Sequence, residues 1–175
     1  IINLIYCPNM KKLNNYRFAI LGKIIHTDYF LIKLRELGFS KPLVIISDDD
    51  EYNRDLRLLK PIGLYSDIEL LADKGLCHLY KMKNINSKET LTLFDEHKCN
   101  IAISINCRDI IKKPIIEYFK SKIFNLHGAL LPDERGGGLI TWKILNKNHM
   151  SGNTIHYLEE GIDTGEIVLQ NKTNI

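Results

Sequence analysis

The sequence lacks the paired residues of a structural metal site. None of its four cysteines forms a Cys-x-x-Cys pair, and no two of its six histidines stand four residues apart. Zinc sites usually need such spacing, so we predict no metal. Scattered thiols without a disulfide pattern indicate a reduced, cytoplasmic protein.

The sequence also lacks a charge excess and a long apolar run. Its 24 basic and 21 acidic residues leave a net charge of +3, which gives no strong field to attract nucleic acid. The apolar start, Ile1 to Tyr6, is too short to span a membrane, and its lysines follow it, whereas those of a signal peptide precede it. We therefore predict no nucleic-acid partner and no membrane association.

A third absence concerns dinucleotides. The first strand-like run is followed by Gly22-Lys23-Ile24-Ile25, which is not the G-x-G-x-x-G of a dinucleotide fold. The acidic run Asp48 to Glu51 after the second strand therefore reads as a solvated loop and not as a ribose-binding acid.

What the sequence does contain is an alternation of short apolar runs and helical patterns. With 45% hydrophobic residues, a chain of 175 residues can form one domain, residues 1–175. It starts without Met and stops at Ile175 just past a strand-like run, so we expect a piece of a longer chain. Strands alternating with helices predict an α/β fold with a mainly parallel sheet and ligands at the strands' carboxyl ends. The predicted strands are Phe18–Leu21, Leu43–Ile46, Ile101–Ile105, Ile123–Leu126, Thr154–Leu158 and Glu166–Gln170.

Helix signals lie between these strands. Ser66 with Glu69 reads as a capping box, and Ser87 reads as the cap of the next helix. Pro114 suits the first residue of a further helix. The glycines that follow Arg135 precede a predicted helix from Leu139 to Leu145, on which we expect Trp142 to belong to the core.

Two polar side chains share one strand face. Asn125 and His127 are two residues apart and emerge at the carboxyl end of their strand. Asp163 follows in a tight loop between Gly161 and Gly165. His156 lies on a later strand, where we expect a structural hydrogen bond and no catalytic role.

The combined pattern resembles the signature of the 10-formyltetrahydrofolate-dependent formyltransferases. That family includes the glycinamide ribonucleotide, methionyl-tRNA and sugar N-formyltransferases. The resemblance rests on five ordered segments: Asn125-Leu126-His127, Leu130-Leu131-Pro132, Arg135-Gly136, Gly152-Asn153-Thr154-Ile155-His156 and Ile162-Asp163-Thr164-Gly165.

The resemblance implies a Rossmann-like sheet flanked by helices and a catalytic trio of Asn125, His127 and Asp163. It also implies that 10-formyltetrahydrofolate is the formyl donor, with its pterin held largely by backbone groups. The residues implied for that contact are Ile105, Asn106, Cys107, Arg108, Glu160, Gly161, Ile162 and Asp163.

The chemistry makes independent sense of the trio. A neutral amine that attacks a formamide-like carbon builds negative charge on oxygen and must lose a proton. Asn125 and a protonated His127 can donate hydrogen bonds to that oxygen, while Asp163 orients His127 and helps to relay the proton. Arg135 and its glycines either gather an anionic group of the substrate or form a flexible connector.

The acceptor is predicted by elimination. The loop after the first strand lacks the glycine- and serine-rich phosphate cradle of the glycinamide ribonucleotide enzymes, and the tRNA enzyme's Gly-Thr-Pro loop and basic domain are not visible. We therefore predict a small-molecule partner, a nucleotide-linked amino sugar for lipopolysaccharide or another surface glycan, with a homodimer as one candidate assembly. The alternatives are the tRNA or glycinamide ribonucleotide reaction, a formyltetrahydrofolate hydrolase, and a non-catalytic folate-binding module.

Overall fold

A seven-stranded sheet organises the part of the chain that the structure describes, residues 15–23, 27–47, 57–63 and 65–174 of a computed structural model. The predictions for Ile1 to Tyr6 and for Asp48 to Glu51 fall outside these ranges. The strands are β1 (Phe18–Leu21), β2 (Leu43–Ser47), β3 (His78–Met82), β4 (Ile101–Ile105), β5 (Ile123–His127), β6 (Met150–Tyr157) and β7 (Ile167–Asn174). The helices are α1 (Thr27–Glu36), α2 (Ile68–Asp73), α3 (Lys88–Glu96), α4 (Lys113–Tyr118) and α5 (Leu139–Leu145), with a 3-10 turn at Lys60–Ile62.

The strand order is β3-β2-β1-β4-β5-β6-β7. Strands β1 to β5 are parallel, β6 runs antiparallel to β5, and β7 runs antiparallel to β6. The predicted α/β fold with a mainly parallel sheet is confirmed. Because the carboxyl ends of parallel strands meet at one edge, the loops after β4 and β5 lie side by side.

The core lies on both faces of the parallel strands. On β1, Ala19 and Leu21 face one apolar cluster, while Phe18 and Ile20 face the other. This alternation is the period of two of a strand, and it explains why the run is apolar throughout. Since both faces are covered by helices, β1 is fixed in register, and so are the loops that leave its carboxyl end.

The helix starts agree in part with the predicted caps. The Ser87 hydroxyl accepts a hydrogen bond from the Thr90 amide at the start of α3, so this prediction is confirmed. The Ser66 prediction is wrong, because the Asp67 carboxylate caps α2 by accepting from the Leu70 amide. A carboxylate at this position also interacts favourably with the helix dipole. Pro114 is the second residue of α4 and not its first.

Strand β3 was not predicted. Its sequence, His-Leu-Tyr-Lys-Met, is half polar because the strand lies at the edge of the sheet and buries only Met82. An edge strand has no continuous apolar run for a pattern to detect. Strand β6 also starts four residues earlier than the predicted Thr154, since Met150 to Asn153 pair with β7.

Gly22 holds two strand ends together. Its φ is +92°, and a β-carbon there would stand 2.3 Å from the Ile105 carbonyl oxygen. Only glycine permits this approach of the chain after β1 to the end of β4. The Asn106 side chain then donates to the Lys23 carbonyl, at 3.3 Å.

No helix in the described ranges is long and apolar enough to cross a membrane.

Candidate active site

The three residues predicted for catalysis meet at the carboxyl end of β5. Asn125 and His127 lie on β5, and Asp163 lies in the turn between β6 and β7. The Asn125 Nδ2 donates to Asp163 Oδ1 at 3.2 Å, and His127 Nδ1 lies 3.5 Å from Asp163 Oδ2. The structure therefore brings together two strand residues and a carboxylate from a distant part of the chain.

His127 is fixed by a backbone carbonyl. Its Nε2 donates to the Glu134 carbonyl oxygen at 2.6 Å, and the imidazole is 8% exposed. A carbonyl accepts and cannot donate, so Nε2 carries a proton in every charge state of the ring. Nδ1 is then the ring nitrogen without a carbonyl partner, and it is the one that faces Asp163.

Asp163 is held from several sides. Its Oδ2 accepts from the Gly136 amide at 2.9 Å, and its own carbonyl accepts from Arg135 Nε at 3.1 Å. Its φ of +51° lies in the left-handed region, which a residue other than glycine adopts at a cost. The turn ends at Gly165, where a β-carbon would stand 1.8 Å from the Tyr157 carbonyl oxygen. The carboxylate is thus aimed by the tight turn and anchored by the loop before α5.

His156 joins the same cluster. It pairs with Asn125 across β5 and β6, and its Nε2 accepts from Asn125 Nδ2 at 3.1 Å. Its Nδ1 donates to the Tyr157 carbonyl at 2.8 Å, so the neutral ring has its free lone pair on Nε2. The predicted structural hydrogen bond is confirmed. The sequence did not show that the partner of His156 is Asn125. Asp163 Oδ1 also lies 3.5 Å from Nε2 of His156.

A cleft of about 920 Å³ opens beside this cluster. Asn125, His127, His156 and Asp163 line one part of it. The end of β4 with the loop after it, the turn after β6, and glycines of the loop before α5 line other parts. The lining includes all eight residues predicted to contact the pterin: Ile105, Asn106, Cys107, Arg108, Glu160, Gly161, Ile162 and Asp163.

The cleft fits a folate in size and in lining. Ligand pockets typically enclose about 300–1,000 Å³ and combine apolar walls with few polar groups. Ile105, Ile111, Leu126 and Leu158 supply apolar wall here. The assignment of individual pterin contacts stays a prediction.

Cys107 lines the cleft but is not a nucleophile. Burial raises the pKa of its thiol to about 11, even though the Asp109 backbone amide favours the thiolate. A thiol with that pKa is protonated near neutral pH and reacts poorly. Among the described residues, no group of three or more His, Cys, Asp or Glu side chains is arranged to hold a metal ion.

Two further expectations about the loop before α5 can be compared with the structure. The prediction that Trp142 belongs to the core is wrong, since this side chain is 61% exposed. The buried side chain next to it is Lys143, because one helix step turns the chain by about 100°. Arg135 is exposed, with its Nε bonded to Asp163, so it reinforces the turn; any contact with a substrate anion stays a prediction.

This chain is similar in sequence and in fold to known formyltransferases. The methionyl-tRNA formyltransferase of Finegoldia magna is 36% identical over 93 residues, which is 53% of this chain and 30% of that protein. The chain thus spans about a third of that relative's length. The phosphoribosylglycinamide formyltransferase of Bacillus halodurans superposes with a TM-score of 0.71 at 19% identity, covering 91% of this chain and 80% of that one.

A second solved structure is similar in sequence as well. WlaRD, a sugar 3N-formyl transferase crystallised with dTDP and 5-N-formyl-THF, is 25% identical, with a TM-score of 0.64 over 91% of this chain and 52% of that one. The profile of the formyl transferase family matches residues 31–175. That range contains the whole trio and the cleft. The chain belongs to the formyl transferase family, as the resemblance implied, and it carries that family's enzyme domain.

Proposed function

We propose that this chain transfers a formyl group from 10-formyltetrahydrofolate to a primary amine, and that the amine belongs to a nucleotide-linked amino sugar. The observation that carries the proposal is the meeting of Asn125, His127 and Asp163 at one end of a folate-sized cleft, in a member of the formyl transferase family.

The donor assignment rests on the family and on the fit of the cleft. The sugar 3N-formyl transferase with the same fold was solved with 5-N-formyl-THF, a folate of the same class. When bound, the donor supplies the formyl carbon, together with a nitrogen that takes up a proton as the formyl group leaves. The chain's part is to bind this group between the two cleft loops and to place its oxygen within reach of β5.

Asn125 and His127 are the groups placed to stabilise negative charge on the formyl oxygen. A neutral amide N–H and a protonated Nδ1 can both donate to it, and such donors stabilise the charge that develops in the transition state. In the free protein the Asn125 N–H groups are bonded to Asp163 and His156. One of these bonds must therefore be exchanged for a bond to the formyl oxygen.

Asp163 is the proton-handling partner. Its Oδ2 lies 3.5 Å from Nδ1 of His127, so it can orient the ring and pass a proton on directly or through water. An ammonium has no lone pair, so the acceptor amine has to lose a proton before or during attack. Asp163 and His127 together provide groups that can take up that proton.

The proposal of a sugar acceptor is supported by a similar protein whose structure was solved with a nucleotide. A nucleotide, dTDP, accompanies the sugar 3N-formyl transferase that is 25% identical to this chain. The first-strand loop, whose sequence lacks the purine enzyme's phosphate cradle, includes residues 24–26, which lie outside the described ranges.

A second candidate is formylation of methionyl-tRNA. The 36% identity to the Finegoldia magna enzyme favours it. The net charge of +3 gives this chain little attraction for a polyanion, so a further basic surface would be needed for tRNA.

The test presents formyltetrahydrofolate with nucleotide-linked 3-amino and 4-amino sugars, with methionyl-tRNA and with glycinamide ribonucleotide. The highest kcat/KM is expected for a sugar, and preference for either other acceptor would overturn the sugar assignment alone. Release of tetrahydrofolate without any amine would indicate a hydrolase.

Binding is measured separately from turnover. A non-transferable formylfolate at 100 times its Kd should stabilise the chain by about 2.7 kcal/mol, seen as a higher Tm. NAD serves as the control and should leave Tm unchanged. Stabilisation without turnover on any acceptor would indicate a binding module.

A further inference from the structure

The loop between β5 and α5 contains an ion pair that the trio does not use. Lys143 Nζ donates to Glu134 Oε1 at 2.5 Å and to the Met150 carbonyl at 2.8 Å. The Lys143 side chain is 5% exposed and that of Glu134 is 18% exposed. A buried ammonium needs a carboxylate beside it, and a pair this secluded is far less screened than the surface pairs of this chain.

Glu134 uses three of its groups to shape the loop. Its amide donates to the Leu130 carbonyl at 3.0 Å, and its Oε2 accepts from the Leu130 amide at 2.7 Å. Its carbonyl accepts from His127 Nε2 at 2.6 Å. The residue whose carbonyl orients the imidazole therefore also accepts, through its carboxylate, from Lys143 on α5, and Lys143 in turn donates to Met150 at the start of β6.

The electrostatics agree with a strong attachment. Burial alone would raise the pKa of the Glu134 carboxyl, but the hydrogen bonds from Lys143 and Leu130 and the nearby positive charges bring the pKa below its ordinary value. Glu134 is thus ionised at neutral pH, and His127 is among the groups that interact with its charge. The pair and the imidazole are coupled through charge as well as through the backbone.

We propose that Glu134 and Lys143 form a positioning pair for His127: together they hold residues 130–134 so that the Glu134 carbonyl keeps Nε2 protonated and turns Nδ1 toward Asp163. The effect on turnover rests on the proposed function, whereas the effect on the imidazole does not. Neither residue touches the substrate cleft, since Glu134 and Lys143 are absent from its lining. They act through the histidine.

Removing one partner leaves a buried charge without compensation, and removing both does not. Lys143→Met should therefore lower kcat by roughly 10- to 100-fold, the loss typical of a reacting group misplaced by about 1 Å, with the donor KM nearly unchanged. The double variant Glu134→Gln/Lys143→Met should recover much of that loss, because the introduced glutamine side chain can still accept from the Leu130 amide. Lys33→Met is the matched control, since it breaks the exposed Lys33–Glu36 pair on α1 and should leave kcat unchanged.

The pH profile separates positioning from loss of stability. The charged or titratable groups around His127 are Asp163, His156, Glu134 and Lys143. Glu134→Gln leaves an extra positive charge near the imidazole, so the pH dependence of kcat should shift to lower pH. Lys143→Met leaves an extra negative charge, so the pH dependence of kcat should shift to higher pH. Leu34→Ala, which empties part of the core in α1, should lower Tm without shifting the pH dependence of kcat.

NMR of the imidazole nitrogens measures the protonation and environment of the His127 ring whether or not the protein catalyses formyl transfer. With the full chain labelled at histidine, His127 should show a protonated Nε2, identified by its loss in His127→Gln. That signal should change in Lys143→Met and return in the double variant. An unchanged signal in both single variants, at a Tm matched by Leu34→Ala, would overturn the proposal. A changed signal in a chain with no formyl transfer would uphold the positioning and refute the proposed function.

Discussion

The two halves of the sheet differ in what their side chains do. Strands β1, β2 and β4 are apolar and buried, with Ile20, Leu21 and Ile45 completely inaccessible. The other half, β5 to β7, carries the polar cluster at Asn125, His127 and His156, and its outer strand β7 leaves most of its side chains exposed. Strand β5 joins the halves, because Ile123 belongs to the core and the carboxyl end of the same strand belongs to the site.

The difference separates stability from chemistry. Apolar burial on both faces makes the parallel strands a rigid base, and the polar groups lie where the sheet changes from parallel to antiparallel. Changes in the first half should lower the free energy of unfolding and spare turnover. Changes in the second half should do the reverse.

The largest effect is expected in the trio. Under the proposed function, His127→Ala and Asp163→Asn should each reduce kcat by about 10²–10⁴-fold, since each removes a group that is proposed to handle a proton in the reaction. Tm and donor affinity should stay close to those of the wild type. His149→Ala, an exposed histidine outside the cleft, is the control. Full activity in either trio variant would contradict the assignment of catalysis to the half formed by β5 to β7.

A core change should show the opposite pattern. Ile45→Ala removes buried methyl groups from β2 and should lower the free energy of unfolding by about 2–5 kcal/mol, while Ile45→Val should cost about 0.5–1.5 kcal/mol. Denaturant unfolding measures both. At denaturant concentrations below the unfolding transition, kcat should equal that of the wild type. A fall in kcat that follows the loss of stability would show that the apolar half of the sheet is not a rigid support for the site.

Acid should weaken the site half first. Because the folded pKa of Glu134 is lowered, its ionised form contributes stability above the pKa of the unfolded chain, and this is lost as pH falls through the folded value. The Tm difference between the wild type and Glu134→Gln should therefore be largest near neutral pH and shrink below about pH 4.5, the ordinary value of a glutamate. A difference that is constant down to pH 3 would contradict this assignment.

The smallest effect is expected at a helix cap in the base. Ser87→Ala removes the acceptor for the Thr90 amide and should cost about 1 kcal/mol, with no change in kcat. Ser87→Asn keeps an acceptor at this position and should restore most of the loss. Equal loss of stability in both variants would assign the effect to packing and not to capping.

The sequence predicted the elements whose signals are local. The apolar runs of β1 and β4 and the Ser87 cap depend on neighbouring residues, and they were placed correctly. The positions of Asn125, His127 and Asp163 followed from a family signature, and the structure brings them together.

What the sequence could not supply is long-range pairing. His156 meets Asn125 because the two strands pair in one register, 31 residues apart in the chain. The prediction for Trp142 was wrong because α5 instead buries Lys143, whose partner, Glu134, comes from the preceding loop. A charged side chain is buried only when a partner of opposite charge lies beside it, and a local sequence pattern does not show which distant residue will be that partner.

The hydrogen bonds of Asn125 have a consequence for product inhibition. Both N–H groups of its amide already have partners, Asp163 and His156, in the free protein. A formyl oxygen that binds here replaces one hydrogen bond by another, so it adds little net free energy. Tetrahydrofolate lacks only that oxygen and its carbon, so it should bind almost as tightly as the donor. Under the proposed function, the spent folate should therefore be an effective competitive inhibitor, and turnover should depend on its removal.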